Sequence, residues 1–360
     1  MDRGVKAEAV RAPLPVLALN AGSSSLKFGV HLVDAAGARL LAAGEAQAPL
    51  AEPDEALAQV AAWMASHSLP APAAVGHRIV HGGVHCREHL RIDADADAMR
   101  RLEAAAAFAP LHVPRALALL RAAQARFPQA VQVACLDTAF HAGMPEVART
   151  LPLPLALRAR GLHRYGFHGL SCESIVRQFG DALPRRLVIA HLGHGASVTA
   201  VAEGRSIDTS MGLTPSGGVV MSTRCGDLDP GVLVYLVREL GYDAERLEAL
   251  VDRQSGLLGL SGLDDDLRVL HAAAPDDAHA QLAIDAFCHS IRKHVAAMAA
   301  TLGGLDALVF TGGIGENDAA VRAVVVGGLE ALRGGFSVHV MPAREDERIA
   351  WHAWRLATTA

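Results

Sequence analysis

Short runs with alternating apolar positions recur along this chain, separated by longer stretches whose apolar residues return every three or four positions. The first period suits strands and the second helices, so the pattern predicts an α/β protein. Residues 17–20 and 26–33 read as a hairpin around the turn in "LALNAGSSSLKFGV", with a further strand near 39–43. Residues 55–66 have helical spacing. The runs at 73–80 and 130–136 suit inner strands, and helical segments around 96–107 and 114–127 lie between them.

From about Leu187 the pattern restarts. "LVIAHLGHGASVTAV" again has an apolar run, a turn of small residues and a second alternating run, a weak internal repeat. Asp229 and Pro230 open a helix running to about Leu240, as N-cap and first helical residue. A long amphipathic helix is expected over 276–302, a strand over 306–310 and a helix over 318–332. The proline-rich stretch "LPLPLALRARG" at 151–161 reads as a hinge. The expected division is an N-terminal domain over 1–150, rejoined by 342–360, and a nucleotide-binding domain over 151–341.

Composition narrows the function classes. At 360 residues the chain can build two domains of ordinary size. An aromatic content of 4% provides few base-stacking platforms, and a net charge of -5 argues against nucleic-acid or anionic-membrane partners. The five cysteines are scattered with no C-x-x-C pair, which reads as free thiols in a reducing compartment. The first fifteen residues lack the apolar core of a signal peptide, and the longest uncharged stretch, 295–305, is too short to span a bilayer. A cytoplasmic protein is expected.

His77, His81, His85 and His89 recur four apart, which on one helix would line up a metal-binding face. The surrounding "GHRIVHGGVHCREH" reads instead as a strand ending in a glycine turn, which scatters them, so structural or solvated histidines are expected. No G-x-x-x-x-G-K-[ST] occurs, and "GGIGEN" and "GHGASV" lack the third glycine of a dinucleotide fingerprint. What remains are three glycine-rich turns after strands, at 20–27, 191–197 and 311–317, the first followed by Lys27. Exposed amides at such turns cradle anions, because no Cβ blocks the approach. Arg78 at a strand end and Arg224 in a loop would add planar cationic forks for phosphoryl or carboxylate oxygens.

The motifs "NAGSSSLKF", "GHRIVHGG", "APLH", "DTAFH", "RYGFHGLS", "HLGHGAS", "DTSMGLTP", "TRCGDLDP", "SGLLGLSG" and "FTGGIGEN" occur in the order found in acetate kinases. From about Val16 to Ala350 the chain resembles that family of the sugar kinase and actin superfamily. The resemblance implies a duplicated ribonuclease-H-like (actin-like ATPase) fold of two domains with an interdomain cleft. It implies reversible phosphoryl transfer from ATP to acetate, giving ADP and acetyl phosphate, with Mg²⁺ (or Mn²⁺) as cofactor, and a homodimer without nucleic-acid or membrane partners. By the same resemblance Asn20 and Glu345 help place the metal, and Asp346 stands beside the latter. Lys27 is the first-turn phosphate lysine, Arg78 binds substrate, Asp137 is the active-site aspartate, and His168 and Arg224 stabilise the transition state. His191, Leu192, Gly193, His194 and Gly195 form the second phosphate turn. Asp266, Leu267 and Arg268, with Gly313, Ile314, Gly315, Glu316 and Asn317, lie on the adenosine side. Val80, Leu111, Phe167 and Pro215 line the acyl pocket.

The chemistry agrees with that assignment. A carboxylate is already ionised at neutral pH, so its attack on phosphorus needs no strong general base. The obstacle is repulsion between two anions, which cationic forks relieve. Asp137 is therefore expected to orient Arg224 or the substrate and not to remove a proton. His194 stands where the family usually has asparagine, Ser216-Gly217 replace a leucine–glutamate pair, and Leu267 replaces an aromatic or methionine. These departures bear on donor and acyl preference. A propionate-preferring kinase, a non-catalytic nucleotide-binding regulator and a pyrophosphate-dependent enzyme are the alternatives.

Overall fold

The computed structural model describes residues 12–22, 26–47, 52–93, 95–330, 332 and 335–359. Ser23, Ser24 and Ser25 of the first turn lie outside the described residues. The chain divides into two compact units, Met1–Ala139 with Arg344–Ala360, and Phe140–Ala343. The exchange precedes the proline-rich stretch, which lies within the second unit.

The first unit opens with an antiparallel meander, β1 (Leu14–Ala21), β2 (Leu26–Asp34) and β3 (Gly37–Ala46), in which Asn20 pairs with Lys27. Helix α1 (Pro53–Ser66) starts on a proline, whose fixed φ suits a first turn, with Asp54 and Glu55 favourably placed against the helix dipole. Then follow β4 (Ala74–Ile79), β5 (Leu90–Arg91), α2 (Ala98–Glu103), α3 (Val113–Arg126) and β6 (Val131–Leu136). The sheet order is β3-β2-β1-β4-β6-β5, with β4 parallel to both β1 and β6. Leu17, Leu19 and Val75 on one face pack against Leu57 and Val60 of α1 and Leu119 of α3.

The second unit contains the short helices α4 (Glu146–Arg149) and α5 (Leu155–Arg158), then α6 (Gly169–Phe179) and the meander β7 (Arg186–Leu192), β8 (Ala196–Ala202) and β9 (Arg205–Thr209). Helices α7 (Pro230–Leu240), α8 (Ala244–Arg253), α9 (Gly256–Ser261), α10 (Leu267–Ala273) and α11 (Ala278–Thr301) follow. Asp229 caps α7 and Asp277 caps α11, each accepting from amides of the first turn. The unit ends with β10 (Ala307–Thr311), α12 (Gly312–Asn317), α13 (Ala319–Gly327) and β11 (Ser337–Val340). Its sheet order is β11-β10-β7-β8-β9.

Strand for strand, β9-β8-β7-β10-β11 repeats β3-β2-β1-β4-β6, antiparallel on the meander side and parallel on the other. The weak repeat in the sequence is thus a duplicated five-strand topology. One expectation is corrected. The stretch 311–317 is not a glycine turn: Gly312 takes a positive φ of 79° and the chain enters α12 directly. The Glu316 side chain folds back to accept from the Gly312 amide at 3.1 Å, closing the helix start.

Helix α14 (Glu345–Thr358) returns to the first unit and covers the other face of its sheet. A Cβ at Gly76 would lie 2.6 Å from Ile349 Cγ2, so β4 and α14 approach closely because residue 76 has no side chain.

Candidate active site

Each unit gathers its own set of polar side chains at strand ends. In the first, Arg78 near the end of β4 donates to Asp137 Oδ2 from Nε at 3.0 Å and from Nη2 at 2.6 Å. Asp137 follows β6, fully buried. Asn20 Nδ2, near the end of β1, donates to Asp346 at 2.8 Å and Glu345 at 3.2 Å, both in the first turn of α14. Lys27 is exposed on β2. Parallel β1, β4 and β6 bring their carboxyl ends to one edge, which is why residues distant in sequence meet.

Electrostatics here are dominated by carboxylates. Burial pushes the Asp137 carboxyl up to about 6, Arg78 pulling against it and Glu345 adding to it. Asp346 is also raised, first by burial, while the hydrogen bond from Asn20 opposes the rise. Burial works against the Arg78 charge, but Asp137, Glu345 and Asp346 overcome it and hold the guanidinium more firmly protonated than usual. Asp137 Oδ1 is buried with no hydrogen-bond partner among the described residues. An oxygen-only donor set with an orphaned carboxylate oxygen fits a hard divalent cation such as Mg²⁺. Asp137 is bound by Arg78, an intra-unit partner the sequence did not indicate.

In the second unit the turn after β7 is the centre. A Cβ at Gly195 would lie 3.0 Å from Arg224 Nη1 and 3.4 Å from His168 Nε2, so a guanidinium and an imidazole both approach this bare backbone. His168 caps α6 in the left-handed region at φ 57°, ψ 27°. Such a backbone costs a non-glycine residue about 1–3 kcal/mol, and strain of this kind gathers at functional sites. Its ring stacks on His191 with centroids 4.1 Å apart. Arg224 Nη1 also donates to the Pro215 carbonyl at 3.2 Å. The Arg224 loop is held by Gly256, φ 65°, where a Cβ would lie only 2.2 Å from the Met221 carbonyl oxygen.

The residues expected on the adenosine side are reached from this turn through Gly312 and Asp265. A Cβ at Gly312 would lie 2.7 Å from the Leu192 carbonyl oxygen, so the start of α12 abuts the end of β7. His194 is half exposed and pairs with Asp265 at 3.3 Å; burial and the nearby Arg224 lower its pKa and Asp265 opposes them. Asp266 caps α10 and pairs with exposed Arg268, whereas Leu267 turns into the interior at 4% exposure. Gly313 and Asn317 are exposed on α12. The expected acyl-pocket residues are divided: half-buried Val80 and Leu111 in the first unit, buried Phe167 and half-buried Pro215 in the second.

The four spaced histidines do not form one face. His77 is buried against Gln132, His81 accepts from the Gly83 amide, His85 is exposed and His89 accepts from the Leu136 amide. Missed by the sequence reading were His141, Ser171, Ser197 and Ser206, which contact the site histidines or the backbone beside them. The motifs "DTAFH", "RYGFHGLS" and "HLGHGAS" contain His141, Ser171 and Ser197 without giving them roles, and Ser206 lies in none of the motifs.

Two solved structures resemble this chain in fold and sequence. A propionate kinase from Francisella tularensis is 32% identical, with a TM-score of 0.85 and coverage of 95% of this chain and 100% of that one. A Porphyromonas gingivalis acetate kinase is 31% identical, with a TM-score of 0.81 and coverage of 95% and 99%. With its duplicated sheets, the protein is a kinase on the actin-like ATPase fold. An acetate kinase of Rhodopseudomonas palustris is 39% identical, the alignment covering 95% of this chain and 98% of that protein. The profile of the Acetokinase family matches residues 41–345, and the chain belongs to that family.

Proposed function

We infer that the protein transfers the γ-phosphoryl group of ATP to acetate, reversibly, forming acetyl phosphate and ADP. The observation that carries this reading is the approach of Arg224 and His168 to the Gly195 backbone, two donors with different geometry at one anion-sized turn. Acetate attacks as its carboxylate, so no residue removes a proton. Arg224 supplies a planar fork for equatorial phosphoryl oxygens, and His168 donates a further hydrogen bond from Nε2. The turn from His191 to Gly195 and α12 support the donor phosphates and adenosine. In the first unit Arg78 binds the acetate carboxylate, with Asp137 fixing the guanidinium plane.

Asn20, Asp137, Glu345 and Asp346 would hold Mg²⁺. When bound it neutralises phosphate charge that otherwise repels the nucleophile. Val80, Leu111, Phe167 and Pro215 are the residues that the family resemblance assigns to the acyl methyl group. Propionate is the second reading, favoured by the likeness to the Francisella propionate kinase. One methylene in an apolar pocket discriminates by only about 1–3 kcal/mol.

The assembly proposed is a homodimer. Helix α7 buries none of its residues, yet exposes Val232, Val234, Tyr235, Val237 and Leu240, an apolar surface suited to a second copy. A cytoplasmic location belongs to the same proposal, supported by five cysteines scattered along the sequence with no C-x-x-C pair. No described helix is long and apolar enough to cross a membrane.

The test is a hydroxamate assay for acyl phosphate with acetate, propionate and butyrate, each with ATP or pyrophosphate as donor. Acetate with ATP should give the highest kcat/KM. Absence of acyl hydroxamate from every pair would refute the enzyme reading.

A further inference from the structure

Two buried groups act on His168, one through its backbone and one through its ring. The first is His141, wholly buried, whose Nε2 lies 2.8 Å from the Phe167 carbonyl oxygen. A carbonyl only accepts, so Nε2 carries the proton and Nδ1 accepts from Ser206 Oγ at 2.8 Å. Burial lowers the pKa of His141 to about 4, the Phe167 carbonyl opposing the fall, so this tautomer persists at neutral pH. At Gly166, φ 77°, a Cβ would lie 2.7 Å from His141 Cγ, so the imidazole packs directly on the backbone leading to His168. The peptide entering the left-handed residue is thereby pinned.

The second group is Ser197, fully buried on β8, whose Oγ lies 3.0 Å from His168 Nδ1. Ser197 is the ladder partner of His191, the residue whose ring stacks on His168. His191 is held in turn by Ser171 Oγ at 2.8 Å from its Nδ1. With Nδ1 engaged by Ser197, the remaining ring nitrogen is the one beside Gly195 and Arg224. A proton on Nδ1 of the neutral ring would leave a lone pair on Nε2, aimed at phosphoryl oxygens. A proton on Nε2 makes it a donor.

We propose that His141 and Ser197 are positioning residues that preset His168 as an Nε2 hydrogen-bond donor, His141 by holding its backbone through the Phe167 carbonyl and Ser197 by donating to Nδ1. This rests on the reading of His168 as a donor to the migrating phosphoryl group. A hydroxyl can donate to Nδ1 without adding charge beside Arg224; it can equally accept from an Nδ1–H, and the ring 15N shifts distinguish the two directions.

The test joins a spectroscopic readout to kinetics on the full chain labelled with [15N]histidine. In the wild type, ring 15N shifts of His168 should show an unprotonated Nδ1 and a protonated Nε2. Ser197→Ala should give mixed tautomers and lower kcat about tenfold to a hundredfold, with KM values within about twofold. Ser197→Thr, which keeps the hydroxyl, should restore the single tautomer. His141→Gln should lower kcat similarly, and Ser206→Ala, a milder change to the same clamp, should lower it in the same direction. In a His168→Ala background none of these changes should lower kcat further, because they act through the missing ring. An unchanged tautomer in Ser197→Ala, or full additivity in that background, would overturn the proposal. Unaltered turnover in His168→Ala alone would instead remove the catalytic role of His168, leaving the tautomer result to be judged separately.

Discussion

Adding a single methyl group at Gly195 is the sharpest perturbation the second unit offers. Its carbon would sit 3.0 Å from Arg224 Nη1 and 3.4 Å from His168 Nε2. Non-bonded heavy atoms rest at about 3.5 Å or more, so Nη1 must withdraw by about 0.5 Å. The guanidinium cannot swing freely, because Nη1 is also tied to the Pro215 carbonyl. Misplacing a reacting or stabilising group by 1 Å costs about a hundredfold in rate, so half that displacement predicts about a tenfold fall in kcat for Gly195→Ala. Gly195 has no positive φ, so alanine is tolerated by the backbone and the effect is read on a folded protein. A coupled assay of ADP formation at saturating acetate and ATP measures it. Gly212→Ala is the control, since its Cβ would meet nothing within 4 Å, and its kcat should stay within about twofold. If Gly195→Ala turned over like Gly212→Ala while keeping its melting temperature, the convergence of Arg224 and His168 on that turn would not be where catalysis occurs.

Arg224→Ala should lower kcat by about two to three orders of magnitude, the usual loss for one transition-state donor, in the same assay. His31, His77 and His141 are each pushed down to about 4 by burial, their hydrogen bonds opposing it. Their stabilising contribution is complete above the unfolded value near 6.5 and is lost as pH falls toward 4, about 2 kcal/mol each by pH 5. Urea midpoints measured at pH 7.5 and pH 5 should show that loss, and an unchanged midpoint would contradict it. Tyr235→Asp on α7 should shift sedimentation from dimer to monomer, whereas a wild-type chain that sediments as a monomer removes the proposed interface.

The strands and long helices were legible because burial imposes a period. Leu17, Leu19 and Val75 alternate with residues facing α14, and Asp277 announces the start of α11 by its capping chemistry. The two glycine-rich stretches at 191–195 and 311–317 have similar composition but fold differently. A positive φ at Gly312 and the returning Glu316 side chain convert the second into a helix, and composition encodes neither. Arg78 and Arg224 stood out in the sequence by their flanks of glycine and small residues, whereas Asp137 and His168 took their expected roles from the resemblance of their motifs to acetate kinases. Ser197 closes the motif "HLGHGAS", yet nothing in that motif gives it a role, since a buried serine has no pattern of its own. Its relation to His168 exists only after β7 and β8 have registered His191 against it. Asp346 was passed over for its neighbour because an acidic run at a helix start reads as a solvated face, yet Asn20 binds both carboxylates.

Helix α14 imposes an order on biosynthesis. The sheet of the first unit is translated early, yet one of its faces stays bare until residues 345–358 leave the ribosome, after all of the second unit. Glu345 and Asp346 arrive on the same helix, so the nascent sheet lacks both its cover and two of its carboxylates for most of elongation. Emergence of residues 345–358 therefore completes a hydrophobic seal and an acidic cluster in one event, and a ribosome stalled shortly before it would carry an open, aggregation-prone surface.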